Sequence, residues 1–140
     1  TITKLLIKYN LLNSLKEFAK SKNIFGTCAG SIIMSNDSYD KRVVNLNCIN
    51  VQISRNSWGA QINSFVANID LALSDSNKTF KGIFIRAPRI LDYKDCVVLG
   101  KYNNEPVLLR NKLHLISTFH PELTNNHLIH KYFISMINEK

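Results

Sequence analysis

The chain has 140 residues, of which 45% are apolar, and a formal net charge of +8 from 18 basic and 10 acidic side chains. This length suits one domain with a buried core, and no apolar run is long enough to cross a bilayer as a helix. The lack of such a run leads us to expect no membrane partner. Three cysteines at wide spacings do not resemble a disulfide framework, so we expect a reducing, cytoplasmic setting.

The excess of basic residues has two interpretations. Clustered Lys and Arg would favour nucleic-acid binding, because they release counterions from phosphate. In this chain the basic residues are scattered and form no run longer than the pair Lys41–Arg42, and no aromatic ladder interleaves with them. We therefore interpret the charge as a solvated basic surface and expect no nucleic-acid partner.

The first part of the chain predicts a helix, a short strand, a turn and a second helix. Apolar residues at helical spacing over 2–19 predict one amphipathic helix that ends near residues 21–23. Residues 24–25 predict a short buried strand, and 26–30 predict the turn after it. Residues 29–35 predict a helix, which ends at the polar residues that follow it.

The rest of the chain predicts an α/β fold with a partly antiparallel sheet, because strand–turn–helix units are mixed with hairpins. Runs of β-branched and apolar residues predict strands, one hairpin and a closing amphipathic helix. The predicted strands cover 43–53, 61–69, 80–85 and 113–119, the hairpin pairs 96–99 with 106–109, and the helix covers 128–137.

Cys28 lies between small residues at the end of the first predicted strand. Gly26 and Gly30 lack a Cβ, so strand, turn and helix can approach one another closely around it. Such a junction presents a nucleophile, and the start of the following helix favours the thiolate over the thiol. The N–H of Ala29 would then donate to an oxyanion. The alternative is a buried cysteine in a glycine-rich turn.

His120 and Glu122 lie two residues apart at the end of the last predicted strand, with Pro121 between them. At this spacing both side chains can point to the same side, and the carboxylate can hold the imidazole in the tautomer that accepts a thiol proton. Together with Cys28 they would make a nucleophile, a base and an orienting acid, the parts of a covalent hydrolase. The alternative is a surface turn with an unrelated histidine.

Other candidate residues carry weaker signals. His114 fits a strand pattern and is interpreted as a core or surface histidine, and Cys48 and Cys96 are interpreted as inert cysteines in apolar strands. His127 and His130 have a spacing that suits a metal, but no cysteine or acid stands at ligand spacing beside them. We therefore expect no metal site.

Four segments in order resemble one family, the glutaminase subunits of the two-component pyridoxal 5′-phosphate synthases (PdxT/SNO), which are class I glutamine amidotransferases. The cysteine junction and the His-Pro-Glu element fit many class I amidotransferases, whereas the two middle segments are more specific to this family. The resemblance runs nearly from Thr1 to the C-terminus. The four segments are Gly26–Gly30, Arg55–Phe65, Phe84–Pro88 and Phe119–Leu123.

The resemblance implies a class I glutamine amidotransferase-like (flavodoxin-like) fold, a mixed sheet flanked by helices. It implies hydrolysis of L-glutamine through a thioester on Cys28, with His120 as general acid–base and Glu122 as its partner. The ammonia would pass to a synthase subunit for vitamin B6 biosynthesis, and no cofactor is implied. The resemblance also places Arg55 on the substrate glutamine and Ile85 and Arg86 in the same pocket, mainly through backbone and local shape.

The chain departs from the family pattern at its start. Family members carry a further N-terminal segment that holds the opening strands of the sheet and a Gly-Gly-Glu-Ser motif with a second oxyanion donor. We therefore expect residues 1–140 to be a single glutaminase domain, truncated at its N-terminus, that is marginally stable and a poor glutaminase by itself.

Several alternatives remain at the level of the sequence. Without the resemblance, Arg55 and Arg86 would be interpreted as ordinary surface ion pairs. The function could also be that of another class I amidotransferase or a cysteine hydrolase. A third alternative is a catalytically impaired scaffold that binds the synthase subunit.

Overall fold

The computed structural model describes residues 1–38, 40–55, 64–73 and 76–139 of the chain. A 3₁₀ turn, Pro121–Leu123, precedes the last helix. In chain order, the helices and strands are α1 (Ile2–Lys8), α2 (Leu12–Ala19), β1 (Phe25–Thr27), α3 (Ala29–Met34), β2 (Val51–Ser54), β3 (Ser64–Leu73), β4 (Ser76–Ile85), β5 (Arg89–Tyr93), β6 (Val97–Tyr102), β7 (Glu105–Arg110), β8 (Leu115–Ser117) and α4 (Leu128–Ile137).

The main sheet has six strands in the order β1-β8-β7-β6-β3-β4. Strands β1 and β8 are parallel, with Thr27 opposite Ser117, and the other pairs of this sheet are antiparallel. Strands β2 and β5 form a separate antiparallel pair. Because β1 and β8 run in the same direction, the residues that follow them emerge at one edge of the sheet.

Apolar side chains cover both faces of this sheet. On one face, Leu108 and Leu115 pack in the same cluster as Ile129 of α4. On the other face, Leu109 and Ile116, their neighbours in sequence, pack in a cluster with α3 and β2. Successive residues of a strand point to opposite faces, so β7 and β8 are apolar on both sides because they lie between two layers.

The sequence predicts several elements correctly. Helix α4 has the predicted bounds, α3 ends one residue early, and β6 and β7 form the predicted hairpin with a turn at residues 103–104. The predicted strand over 80–85 is part of β4. The strand predicted to begin at Gln61 is described from Ser64 onward, and its first three residues lie outside the described part of the chain.

The prediction of one N-terminal helix is wrong, because the segment forms two helices. Asn10 adopts a left-handed conformation with φ of 54°, and the N–H of Leu11 donates to the carbonyl of Leu6. Asparagine is one of the few residues that adopt this conformation readily. The helical pattern of apolar residues continues across the break, so periodicity alone gives no sign of it.

The strand predicted over 43–53 is also wrong for most of its length, since only Val51–Ser54 forms β2. The preceding residues bond to the end of α3 instead: the N–H of Leu46 donates to Ile33 and the N–H of Cys48 to Met34. The last carbonyls of a helix lack partners within the helix, and this segment supplies them. The partner of β2 is β5, a strand that the sequence analysis did not predict.

Candidate active site

Cys28 stands at the sharp junction between β1 and α3. Its φ of 50° and ψ of −106° are unusual for a residue with a side chain, and such conformations cost on the order of 1–3 kcal/mol. The junction is fixed by hydrogen bonds: the Cys28 N–H donates to the Ser117 carbonyl at 2.8 Å, and the Cys28 carbonyl accepts the Ser31 hydroxyl at 2.5 Å. This is the strand–turn–helix junction that the sequence predicts.

The two glycines beside Cys28 have different roles. A Cβ at Gly26 would lie 2.8 Å from the backbone carbon of Gly30 and would also collide with the Met34 side chain. Gly26 is therefore required where β1 crosses α3. A Cβ at Gly30 would meet no atom within 4 Å among the described residues. The prediction that Gly30 permits the close approach is wrong within this chain, because the contact depends on Gly30 backbone and not on its missing side chain.

His120 and Glu122 follow β8, the strand parallel to β1. The His120 N–H donates to the Ile83 carbonyl at 2.8 Å, which ties the residue to the end of β4. Its Nδ1 lies 2.7 Å from Oε2 of Glu122. A carboxylate accepts the Nδ1–H, so this contact favours the tautomer in which Nε2 is the proton acceptor. The pairing of the two side chains is as predicted.

A cavity of about 340 Å³ opens beside the junction. Cys28, Ala29, Arg55, Ile85 and Arg86 all line it, so the structure brings five of the predicted site residues together. His120 and Glu122 are not among its lining residues, although they leave the neighbouring strand at the same edge of the sheet. The other lining residues are Thr1, Ile2, Thr3, Ile32, Ile33 and Val43.

Backbone groups shape the wall opposite the cysteine. The Cys28 thiol donates to the Ile85 carbonyl, with 3.6 Å between sulfur and oxygen. Arg86, the next residue, has a φ of 45°. Cys28 and Arg86 are therefore two non-glycine residues with positive φ that line the same cavity. Such strained backbone conformations are typical of functional sites.

The electrostatic surroundings of Cys28 favour the neutral thiol. Burial is the largest cause and raises the pKa of Cys28; the N–H of Ala29 and the charge of Arg55 lower it, whereas the charge of Glu122 raises it. The prediction that the helix start would favour the thiolate has the wrong net direction, because removal from water outweighs the backbone donor. A thiol in this state needs a base before it can attack.

Arg55 is half exposed, and its Nη1 donates to Oδ2 of Asp40 at 3.0 Å. The sequence analysis did not single out Asp40, and nothing in the spacing of the two residues predicts that they meet. In the motif that follows Arg55, residues Asn56–Gln61 and Asn63 lie outside the described residues. Phe65 is a packing residue, since its ring stacks on Phe84 with centroids 4.6 Å apart.

A larger cavity, of about 720 Å³, lies at the other end of β1 and β8 and contains none of the predicted site residues. His114 borders it as a buried structural residue. Its Nδ1 accepts the Ile24 N–H at 3.1 Å, and its Nε2 lies 2.9 Å from the Ala19 carbonyl. Of the two interpretations of His114 left open by the sequence, a core or a surface histidine, the structure shows the core one.

Among the described residues, the remaining candidates show no catalytic or metal-binding arrangement. Cys48 and Cys96 are free, and burial raises the pKa of both thiols. They precede strands instead of lying within them, so their predicted placement in strands is wrong. His130 packs against Phe25 with ring centroids 5.7 Å apart. In the described ranges, no cluster of three or more His, Cys, Asp or Glu could hold a metal ion, and no helix could span a membrane.

Comparison with known proteins identifies the family. The SNO glutamine amidotransferase family matches residues 1–139. The pyridoxal 5′-phosphate synthase subunit PdxT of Francisella tularensis subsp. tularensis is 45% identical over 138 residues, which are 97% of this chain and 72% of that protein. The chain belongs to the SNO glutamine amidotransferase family.

A second PdxT relative and a solved structure agree. PdxT of Francisella tularensis subsp. novicida is 44% identical over 97% of this chain and 72% of its own length. A crystal structure described as that of a glutamine amidotransferase matches with a TM-score of 0.89 and 32% identity, covering 99% of this chain and 74% of the other. The predicted family, the mixed α/β amidotransferase fold and the glutamine amidotransferase function are confirmed.

Proposed function

We propose that this chain is the glutaminase subunit of a pyridoxal 5′-phosphate synthase. It hydrolyses L-glutamine to glutamate and ammonia through a thioester on Cys28. The ammonia passes to a synthase subunit that uses it to make pyridoxal 5′-phosphate. Two PdxT relatives support the assignment to this complex, because both are named as subunits of that synthase.

One observation carries the proposal for the reaction. A cysteine in a strained conformation opens into a cavity with two arginines, and a hydrogen-bonded His–Glu pair leaves the adjacent parallel strand. A cysteine that served only packing would not require a left-handed backbone conformation. The same edge of the sheet thus supplies a nucleophile, a base and an orienting acid.

In the proposed first half-reaction, Nε2 of His120 accepts the proton of the Cys28 thiol. The thiolate attacks the side-chain carboxamide carbon of glutamine, and the N–H of Ala29 donates to the oxyanion. His120 then gives the proton to the amide nitrogen as the carbon–nitrogen bond breaks. Ammonia leaves, and a γ-glutamyl thioester remains on Cys28.

In the second half-reaction, a water molecule gives a proton to His120 and attacks the thioester carbon. The carbon–sulfur bond breaks, the sulfur regains a proton, and glutamate leaves. Glu122 holds the imidazole through its Nδ1–H during both halves, as its 2.7 Å contact suggests. Because burial keeps Cys28 neutral at rest, the reaction depends on transfer of its proton to His120.

The other cavity residues would recognise the rest of the substrate. A guanidinium such as that of Arg55 suits the α-carboxylate of glutamine. Ile85 and Arg86 would shape the pocket through their backbone, as the carbonyl of Ile85 does for the thiol. A reducing, cytoplasmic compartment would keep Cys28 available for the reaction, since all three cysteines are free thiols.

The test measures glutamate release by the chain in the presence of the synthase subunit of a pyridoxal 5′-phosphate synthase. We expect Cys28→Ala to abolish hydrolysis, a loss of at least about 10³-fold. Cys48→Ala is the matched control, since it removes another partly buried free thiol outside the cavity, and it should retain activity. Glutamine hydrolysis by Cys28→Ala at the parent rate would overturn the proposal.

The same assay, together with measurements of binding and of Cys28 labelling, separates the two alternatives. A different amidotransferase or cysteine hydrolase would act without stimulation by the synthase subunit, or on a substrate other than glutamine. A scaffold would bind the synthase subunit tightly, yet a glutamine analogue with an electrophilic side chain would not label Cys28. Labelling of Cys28 by such an analogue supports the enzyme.

A further inference from the structure

Asp40 lies next to the proposed substrate arginine but outside the lining of its cavity. Its Oδ2 accepts Nη1–H of Arg55 at 3.0 Å, and Arg55 lines the cavity together with Cys28. The direct contact of Asp40 with the site is therefore made through Arg55.

Arg42 fixes the Asp40 carboxylate from the other side. Oδ1 accepts both the Arg42 backbone N–H at 2.9 Å and its Nε–H at 3.0 Å, while Oδ2 accepts Nη2–H at 3.0 Å. The Arg42 side chain is 83% exposed, whereas that of Asp40 is only 15% exposed. Arg42 thus covers the carboxylate and sets its orientation, which directs one oxygen at Arg55.

The carboxyl group of Asp40 remains ionised. The guanidinium of Arg42, followed by its backbone N–H, holds the pKa of this carboxyl well below its usual range, and Arg55 adds to the effect. The contact with Arg55 is therefore charge-assisted at every pH at which a glutaminase would work.

Asp40 is itself held by Arg42, so its contact restricts the rotamers of the half-exposed Arg55 side chain before a ligand arrives. Preorganisation of this kind increases affinity. Arg42, Arg55 and Asp40 together carry one net positive charge, and Arg86 adds another in the cavity lining. An anionic group of the ligand is thus still attracted.

We infer that Asp40 is a positioning residue, which holds the Arg55 guanidinium where it binds the α-carboxylate of glutamine. This inference rests on the proposed function. It assigns to Asp40 a role in substrate affinity and none in bond breaking. It also predicts the sign of the effect: loss of the carboxylate weakens the binding of glutamine, although it leaves the cavity more positive.

The test compares two probes that differ only at the group Arg55 is inferred to bind. L-Glutamine carries the α-carboxylate, and L-glutaminamide carries an uncharged carboxamide in its place. Binding is measured as protection of Cys28 from iodoacetamide at about pH 8.5, with the modified peptide quantified by mass spectrometry. This readout needs no turnover and uses the full chain.

In the parent chain, glutamine should protect Cys28 at lower concentration than glutaminamide. Asp40→Asn should raise the half-protecting concentration of glutamine about fivefold and change that of glutaminamide by less than about twofold. Arg55→Ala should abolish the difference between the probes, and adding Asp40→Asn to it should have no further effect. A merely structural role of Asp40 would weaken both probes equally.

Glu139→Gln is the matched control. It removes a carboxylate that pairs with another arginine, Arg110, which lies opposite the start of β8 and away from Cys28. Protection by both probes should equal that of the parent. In turnover with the synthase subunit, Asp40→Asn should raise KM about fivefold and leave kcat within about twofold.

The outcomes separate this inference from the function on which it rests. If neither probe protects Cys28 of the parent chain, with or without the synthase subunit, both the proposed function and the inference fall. If glutamine protects the parent and Asp40→Asn equally, or protects the variant better, the function stands and the role of Asp40 is overturned.

Discussion

Strand β8 has a histidine near each end, and the two have opposite surroundings. Near its start, His114 is 3% exposed, and backbone groups occupy both ring nitrogens. Beyond its end, the His120 side chain is 21% exposed, and Glu122 occupies only Nδ1. A base needs a nitrogen that can change its proton, so the comparison separates a structural histidine from a candidate catalytic one.

The residues around the two histidines differ in the same way as the histidines themselves. At the His114 end, polar groups bond to one another: the Asn111 side chain accepts the His114 N–H at 2.7 Å and donates to the Cys48 carbonyl at 2.8 Å. At the His120 end, a strained cysteine opens into a cavity. Strands β1 and β8 are thus stabilised by hydrogen bonds at the His114 end, whereas the backbone is strained at the Cys28 end.

The largest expected effect is on activity at the His120 end. His120→Asn keeps a polar side chain but removes the proposed base, so glutamine hydrolysis should fall by about 10²–10⁴-fold with little change in the melting temperature. The measurement is glutamate release with the synthase subunit. His127→Asn, at an exposed histidine, is the control and should retain activity. Activity of His120→Asn within tenfold of the parent would remove His120 as the base.

A smaller effect is expected from Glu122→Gln, which leaves the imidazole without its charged partner. Hydrolysis should fall about 10-fold to 100-fold, because the carboxylate orients the ring and stabilises its protonated form. The charge of Glu122 also raises the pKa of Cys28, so alkylation of Cys28 should shift to lower pH. An unchanged alkylation profile would argue against any electrostatic contact between the two residues.

At the other end, the expected effect is on stability. His114→Ala leaves the Ile24 N–H and the Ala19 carbonyl without their buried partner and should cost about 2–4 kcal/mol in the free energy of unfolding. Urea denaturation measures this loss. Activity per folded molecule should stay near that of the parent. A cost below about 0.5 kcal/mol would mean that water replaces the ring at no penalty.

The smallest expected effect is the dependence of stability on pH. Burial lowers the pKa of His114 from 6.5, so below that pH the unfolded chain binds more protons than the folded one. The contribution is fully present above about pH 6.5 and is lost as the pH falls from there towards the lower pKa of the folded state. Denaturation at a series of pH values should show a shallower fall for His114→Ala, whereas His127→Asn should follow the parent.

How much the sequence predicts depends on whether a feature is local. The periodicity that places Leu128 to Ile137 on a helix is local, as is the glycine-flanked cysteine, and both appear as predicted. The break between α1 and α2 at Asn10 contains no proline or glycine from which it could be predicted. The apolar residues after Val43 predict a strand. Their N–H groups instead donate to the end of α3, a contact that the sequence pattern does not reveal.

The candidate site shows the same limit. His120 and Glu122 are two residues apart, so their contact can be predicted from spacing. The pairing of Arg55 with Asp40 joins two loops and has no signal in the sequence. The direction of the Cys28 pKa was predicted wrongly, because it depends on a balance between burial and a backbone donor that only the fold determines.

The left-handed backbone at Cys28 has a consequence for how the chain tolerates change. Glycine adopts that conformation without strain, so a Cys28→Gly chain should tolerate heat better than the parent even though it lacks the proposed nucleophile. If stability alone decided the residue at this position, we would expect glycine. The presence of cysteine in spite of the strained backbone is what we expect of a side chain that takes part in a reaction.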